Sequence, residues 1–554
     1  MKHTSTLIFL LIFITNIPAN TQVPVVFDAN NIEVSKTFNN YLFAQKFMPS
    51  NYFSFPKNSS TSTIYFSTFN VTGKDSATSN IHAFNNFSFS VPVIDGPLSI
   101  DGNLDTTNHN QYKQIWSISE TDINEFIQAY YQGGAAWSNY QIKPSFLTWP
   151  ANGPLGYDNN LSPFHDMNND GFYNPHDGDY PMIKGSQMLR WIYNDMGNYQ
   201  NNGMGLEIRA SLFGCSSTPS SSPINRTIFA EFEIFNRNLR TYQELQCGLL
   251  LDFDIGCAID DYFRTQVESN GVQAYNSTED DNCNDSTSYY SNTPVQSISI
   301  LSINNQSTGN LLYSSALVNN AIQSVNSQPT NALELYNINR GNWANGTPKY
   351  YGGFGIDSTL GYGRTRFMYQ GDSDPTYYGM EVPNYPFYWT MEDIDGYGTH
   401  ATPNDYRATI AGIPQTLRPN EKLSILFAFI TTQDQNLSIP QLLEKNKQEM
   451  LDVKSRYINN QLNCLSYTTS ISEVLSPQLS IYPNPASNQL YVDNLLANEN
   501  YKAKVYDING KVWIQAELRK DACLDISSLK SGFYVLQLQN DREIIVSQGF
   551  VKIE

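Results

Sequence analysis

Val505-Tyr506-Asp507-Ile508-Asn509-Gly510-Lys511-Val512-Trp513-Ile514 decides how the C-terminal part of this chain folds. Asn509-Gly510 is a strong short hairpin signal, because both residues tolerate the positive φ of a type I′ turn. Apolar side chains flank it on both sides in strand-like alternation. Upstream, Pro483 and Pro485 bracket Asn484 and break any helix or central strand. Downstream, Gly532 precedes Phe533-Tyr534-Val535-Leu536-Gln537-Leu538, an alternating run of aromatic and branched residues. Short strands at this spacing predict a small immunoglobulin-like β-sandwich over residues 479–554.

The order of these blocks carries a resemblance. Leu479-Ser480-Ile481-Tyr482-Pro483-Asn484-Pro485-Ala486 is followed by Val505–Lys511, Asp525-Ile526-Ser527-Ser528-Leu529, Ser531-Gly532-Phe533-Tyr534-Val535-Leu536 and Gly549-Phe550-Val551-Lys552-Ile553-Glu554. This resembles the C-terminal sorting domain of the bacterial type IX secretion system. The resemblance implies passage across the outer membrane, a secreted or cell-surface location, and the secretion machinery as a partner.

The N-terminus reads the same way. Lys2 and His3 precede the apolar run Leu7–Ile14, which is too short to span a bilayer, and small and polar residues follow at Ala19-Asn20-Thr21. Residues 1–21 read as a signal peptide, leaving Gln22 first, with cleavage at Ala19 as the alternative. No other run is long and apolar enough for a transmembrane helix. Between signal and tail, residues 22–465 read as a large β-rich, sandwich-like body with a few helices, and 466–478 as a linker. Thr227-Ile228-Phe229-Ala230-Glu231-Phe232-Glu233-Ile234-Phe235 alternates as a strand, with Glu231 and Glu233 on one face and Leu249–Phe253 as the expected partner strand. Ile64–Phe69, Phe87–Val91 and Leu423–Ile430 read as further strands. Ser119 opens a helix through Ile123, Phe126 and Ile127. Ser438 caps another with Pro440 in its first turn and Leu443, Met450, Val453 and Tyr457 as its stripe.

The net charge of −19, from 33 basic and 52 acidic residues, argues against nucleic acid and suits bound cations. The six cysteines are Cys215, Cys247, Cys257, Cys283, Cys464 and Cys523. An exported chain permits disulfides, and the cluster Cys215–Cys283 has room for two. Cys-x-x-Cys spacing is absent, so a zinc or redox motif is unsupported.

The best chemical motif is Asp166-Met167-Asn168-Asn169-Asp170-Gly171-Phe172-Tyr173-Asn174-Pro175-His176-Asp177. Calcium takes six to eight hard oxygens, and this spacing supplies them from Asp166, Asn168, Asp170, the Phe172 carbonyl, Asn174 and Asp177, with Gly171 at the sharp turn. Asn at the ninth position and Asp at the twelfth resemble the dockerin-type loop. A dockerin has two such loops, each leading into a helix. Here there is one, and Pro181 opposes a helix, so a structural calcium is expected and cohesin binding is not implied. A second acidic group, Asp252, Asp254, Asp260 and Asp261, reads as a second cation site, an acid pair for glycoside hydrolysis, or a solvated strand end. Glu392-Asp393-Ile394-Asp395 is a weaker third group.

The span Trp116–Tyr275 also resembles a family of secreted bacterial proteins that carry this sorting tail and bring no activity with them. Trp149-Pro150-Ala151-Asn152-Gly153, Pro163-Phe164-His165, Gly178-Asp179-Tyr180-Pro181 and Asp252-Phe253-Asp254-Ile255-Gly256 carry that resemblance. His-Glu-x-x-His, Gly-x-Ser-x-Gly and Walker motifs are absent. The expectation is a calcium-stabilised, non-enzymatic adhesive or structural protein. The alternative is a carbohydrate-binding or polysaccharide-degrading one, with surface glycans or extracellular polysaccharide as partner and the tryptophans and tyrosines as its stacking face.

Overall fold

The computed structural model describes residues 24–37, 41–44, 52–84, 93–104, 109–195, 203–217, 219–283, 286–319, 328–360, 363–373, 389–392, 400–462, 464, 481–492, 501–507, 511–518, 523–539 and 544–553. The expected signal peptide, the strand at Phe87–Val91, the linker and Asp393 and Asp395 lie outside these residues.

Two antiparallel sheets form the body. The nine-stranded sheet runs in the order Asp261–Gln266, Gly271–Asn276, Val295–Ile303, Lys422–Thr432, Thr227–Asn236, Leu206–Gly214, Gln187–Asn194 and Ile94–Asp95, with Trp116–Ser119 also paired to Gln187–Asn194. The seven-stranded sheet runs Leu312–Asn319, Tyr406–Gly412, Tyr242–Asp252, Phe66–Asp75 and Tyr41–Ala44, with Gln415–Leu417 and Ile81–Phe84 beside it. Their facing side chains make one core. Leu189, Ile208, Ile228, Phe232 and Ile234 from one sheet meet Phe69, Val71, Leu245, Leu249 and Leu251 from the other. At its centre Phe69 stacks on Phe232 with ring centroids 3.9 Å apart.

The predicted strands at Thr227 and Leu423 both form, and they pair with each other, Ile228 opposite Phe429. The expected pairing of Thr227–Phe235 with Leu249–Phe253 does not occur. Thr227–Asn236 is flanked by Leu206–Gly214 and Lys422–Thr432, and Tyr242–Asp252 lies in the opposite sheet. The connection explains this. Asn236 Nδ2 donates to Arg240 O (2.8 Å) and Asn238 N–H to Asn236 Oδ1 (3.0 Å), which arches the chain across the core instead of closing a hairpin.

The outer face of the nine-stranded sheet is covered by helices. α1 (Glu120–Gln132) opens with a capping box between Ser119 and Asp122 and buries Ile123, Phe126 and Ile127. α2 (Gly134–Asn139) and α3 (Pro144–Leu147) continue that layer. α4 (Ala332–Asn339) lies instead on the seven-stranded sheet, against Ile81–Phe84 and Leu312–Asn319. α5 (Ile439–Ile458) is capped by Ser438 and Gln441 and buries Leu442, Leu443, Asn446, Met450 and Val453. Asn446 is an unexpected polar member of that stripe; its side chain accepts from Gln273 Nε2 (2.6 Å) and donates to Thr432 Oγ1 (2.8 Å). Among the described residues no helix is long and apolar enough to cross a membrane.

Trp116, Trp149, Trp191 and Trp343 are buried, so they pack the core rather than form a stacking face; Trp137 is half-buried. Disulfides join Cys215 to Cys464 and Cys257 to Cys283. The first differs from the local pairing expected within Cys215–Cys283: it pins the chain beyond α5 to the strand ending at Gly214. Cys247 is free and buried, and Cys523 is free and exposed.

The C-terminal residues form their own two-sheet sandwich. Ile481–Tyr482, Gln489–Val492 and Cys523–Asp525 make one sheet, and Val512–Leu518, Tyr501–Asp507, Gly532–Gln539 and Ile544–Lys552 the other. Strands Tyr501–Asp507 and Val512–Leu518 pair antiparallel, as the Asn509-Gly510 signal predicts. The proline-flanked segment has a further role. Ala486 N–H donates to Val551 O and Ile553 N–H to Ala486 O, both at 2.8 Å, so this segment staples the final strand.

Two outcomes follow. Thiol labelling of the full unreduced chain modifies Cys523 alone in the native state and both Cys523 and Cys247 after denaturation; a third thiol would contradict the two disulfides. The second concerns Lys36, fully buried, whose ammonium lies 4.7 Å over the Trp191 ring and donates to Tyr41 O (2.6 Å). Burial pushes it down to about 7. The unfolded lysine holds its proton up to about pH 10.4. Between those values the unfolded chain binds more protons, so native stability rises with pH. Urea denaturation of wild type and Lys36→Met, compared from pH 6 to 10, should show the wild type gaining relative to the variant above about pH 7, by at most roughly 1.4 kcal/mol per pH unit, and no relative change below it.

Candidate functional site: an acidic loop and a buried acid cluster

The Asp166–Asp177 loop is held at its base by a two-stranded ribbon in which His165 pairs with Tyr180 and Phe164 with Pro181. Met167 is buried from within the loop, in the same core as Phe126, Phe146 and Tyr180 of the helical layer. Asn152 steadies the outside: its Oδ1 accepts from Tyr173 N–H (2.8 Å) and its Nδ2 donates to Gly171 O (3.2 Å). The stretch before the loop is anchored to the nine-stranded sheet by buried arginines. Arg190 reaches Ser162 Oγ (2.7 Å) and Leu161 O (2.9 Å), and Arg209 reaches Asn160 O (2.5 Å) and Asp158 (2.9 Å). Glu233 is pushed up by burial, but Arg190 and Lys422 outweigh this and hold its carboxyl down at about 2.

Within the loop, the first three expected ligands converge. Asp166 Oδ2 accepts from Gly171 N–H (2.7 Å) and Oδ1 from Asp170 N–H (3.2 Å). Asn168 Oδ1 accepts from Asp170 N–H (3.1 Å), and Asp170 Oδ1 accepts from Phe172 N–H (2.8 Å). Gly171 sits at φ 81°, a left-handed conformation that a side chain resists. In the second half, Asn174 Oδ1 accepts from His176 N–H (3.1 Å) and its Nδ2 donates to Asp177 Oδ2 (2.6 Å). The donor set is hard oxygen throughout, and each carboxylate has lone pairs beyond those its hydrogen bonds use.

Asp179 joins the two halves and lies just past the twelve-residue pattern. It is fully buried, with Oδ1 accepting from Met167 N–H (2.7 Å) and Oδ2 from Asn174 N–H (2.8 Å). Burial raises its carboxyl, and the charges of Asp166 and Asp170 raise it further, against the pull of those two N–H groups. Gly178 before it has φ 97°, and a Cβ there would meet the Tyr130 ring at 2.4 Å. Only glycine lets the chain turn beneath α1 and deliver Asp179.

The second acidic group is arranged differently from its spacing. Asp252 ends its strand and is 2% exposed. One oxygen from each of Asp252, Asp254 and Asp405 lies within 4.8 Å of the others. Asp405 enters from the strand whose Arg407 is opposite Asp252, and no local pattern marks it. Arg407 Nε donates to Asp252 Oδ2 at 2.8 Å. Burial pushes Asp252 up to about 8, against Arg407 and with Asp254 and Asp405. Asp261 is buried, accepts from Ile255 N–H (3.0 Å), and is raised well above the usual carboxylate range by burial first. Asp260 is half-buried. Asp281, also unmarked by spacing, receives the N–H groups of Cys257 (3.0 Å) and Tyr289. An acid pair for glycoside hydrolysis has to reach a sugar. Asp252 is enclosed and ion-paired, which removes it from that role.

Residues 480–552 match the family model described as the secretion system C-terminal sorting domain. Among curated proteins, none matches this sequence. One solved structure, a polysaccharide lyase, aligns over 66% of this chain and 35% of its own length at 8% identity and a TM-score of 0.18. A likeness that weak carries no argument about fold or activity. The sorting domain does carry one: the protein is exported through the type IX machinery and is secreted or attached at the cell surface.

Proposed function

We propose that this is a calcium-stabilised structural or adhesive protein of the cell exterior, with the Asp166–Asp177 loop as its calcium site. One observation carries the reading. Asp166, Asn168 and Asp170 are already gathered around the Asp170–Phe172 backbone by Asp166 and Asn168 acceptors, in a loop whose ends are pinned by buried Asp179. Asp166, Asn168, Asp170, the Phe172 carbonyl, Asn174 and Asp177 would hold the ion. It would supply charge neutralisation and nothing reactive. The other acids that suggested catalysis serve inside the fold, as the Asp252–Arg407 pair illustrates. The dockerin likeness goes no further than this loop, which leads into a strand at Tyr180–Pro181.

Calcium that binds only the folded state stabilises it by about 2.7 kcal/mol when present at 100 times Kd. Asp170→Ala removes a central ligand and should abolish most of the calcium-dependent rise in Tm attributable to this loop. Magnesium should substitute poorly, since it demands a tighter octahedral cage. An unchanged calcium response in Asp170→Ala would refute the loop as the site.

Asp179 should behave differently, because it organises the loop without binding the ion. Asp179→Asn turns one acceptor into a donor that faces a backbone N–H. The buried mismatch should cost about 1–3 kcal/mol in denaturant unfolding, with chelator present as well as with calcium. A loss seen only in calcium would make Asp179 a ligand instead.

A further inference from the structure

Three carboxylates meet at the end of the Tyr242–Asp252 strand. Arg407 is the cation ion-paired to them, with Nε at 2.8 Å from Asp252 and a second nitrogen 3.9 Å from Asp405. Asp252, Asp254 and Asp405 each bring an oxygen within 4.8 Å of the other two. A second observation concerns single atoms. Asp252 is 2% exposed; its Oδ2 takes the Arg407 hydrogen bond, and its Oδ1 accepts none. Asp261, also 2% exposed and close enough for Asp254 to act on it electrostatically, likewise has Oδ2 satisfied by Ile255 N–H and Oδ1 without a donor. Buried polar atoms are rarely left so, and a carboxylate oxygen in that state is costly.

A hard divalent cation would hold the three carboxylates together and give the bare Asp252 oxygen a partner. Oxygens bound to one calcium at about 2.3–2.6 Å lie at most about 5 Å apart across the ion, and these three fall within that reach. We propose that Asp252, Asp254 and Asp405 bind a calcium ion, a second site separate from the Asp166–Asp177 loop. Its place in the fold gives it a task. Asp252 and Asp405 sit at the ends of neighbouring strands of the seven-stranded sheet. Asp254 starts the loop that runs through Cys257 to the edge strand Asp261–Gln266 of the nine-stranded sheet. The ion therefore joins the two sheets where the Cys257–Cys283 disulfide closes the same loop. Asp281 lies apart from these three, its oxygens accepting from the N–H groups of Cys257 and Tyr289 beside the disulfide.

The test is calcium titration calorimetry on the full chain, stripped with chelator, in four forms. Wild type should bind two calcium ions. Asp170→Ala, which disables the loop site, should bind one. Asp405→Asn should also bind one, and the double variant none. If Asp170→Ala binds no calcium, or if the double variant keeps the ion of Asp170→Ala, the proposal is overturned. Should Asp405→Asn fail to fold by circular dichroism, Asp254→Asn, at a half-exposed position, replaces it with the same expectation; if neither folds, the stoichiometry of Asp170→Ala decides. The two sites fail independently: a wild type whose single ion is lost in Asp405→Asn and kept in Asp170→Ala would sink the loop reading and leave this one standing.

Discussion

Strands Thr227–Asn236 and Lys422–Thr432 lie at the centre of the nine-stranded sheet and have to bury both faces. One face meets the second sheet through contacts such as Phe69 on Phe232, and the other meets the helical layer through Phe229, Leu426, Ala428 and Ile430. Hydrophobic burial on two sides is a strong driving force. Charged groups on the nine-stranded sheet gather on its outer face, where Arg190 pairs with Glu233 and Arg209 with Glu207, and in the seven-stranded sheet Asp252 sits at a strand end.

This placement accounts for where both acidic sites fall. Each begins where a buried element gives way to a loop. The outer-face arginines fix residues 158–162 against the sheet by hydrogen bonds to backbone and side-chain oxygens, and the Asp166 loop starts from that fixed stretch. The strand end at Asp252 passes directly into the disulfide-closed loop. Buried carboxylates in such places cannot be hydrated, so they recruit backbone N–H groups, as Asp179 and Asp281 do, or an arginine, as Asp252 does.

The parts of this arrangement that were legible in the sequence are the local ones. Alternation at Thr227–Phe235 shows as a strand, the Ser119 and Ser438 caps show as helix starts, and Asp166, Asn168 and Asp170 show as one turn because their spacing alone brings them together. Alternation does not name a partner, so Thr227–Asn236 looked like a hairpin with the next strand when the chain in fact arches to the other sheet. Asp405 lies 153 residues beyond Asp252 in sequence, and only strand pairing brings it there. Asp179 had a weaker signal. It follows a glycine forced to φ 97° and precedes Tyr180-Pro181, so a turn was readable, while its role in pinning Met167 and Asn174 needed the coordinates.

Export adds a constraint that acts on the same elements. A protein that works outside the cell has no chaperone system around it, and covalent or ionic links that close long loops limit the freedom of the opened chain. The Cys215–Cys464 bridge spans 249 residues, so when α5 opens from the strands it packs on, the chain beyond it stays tethered to the end of Leu206–Gly214. The Cys257–Cys283 bridge spans only 26 residues, and by loop-closure entropy it constrains the unfolded chain less. Its location matters more than its length. It holds Cys257 beside Asp281, whose carboxylate takes the Cys257 N–H, and so fixes the backbone that carries Asp254 toward Asp252. The short disulfide thus pre-orders a cluster of like charges that would otherwise push the loop open, and a bound cation would turn that repulsion into attraction.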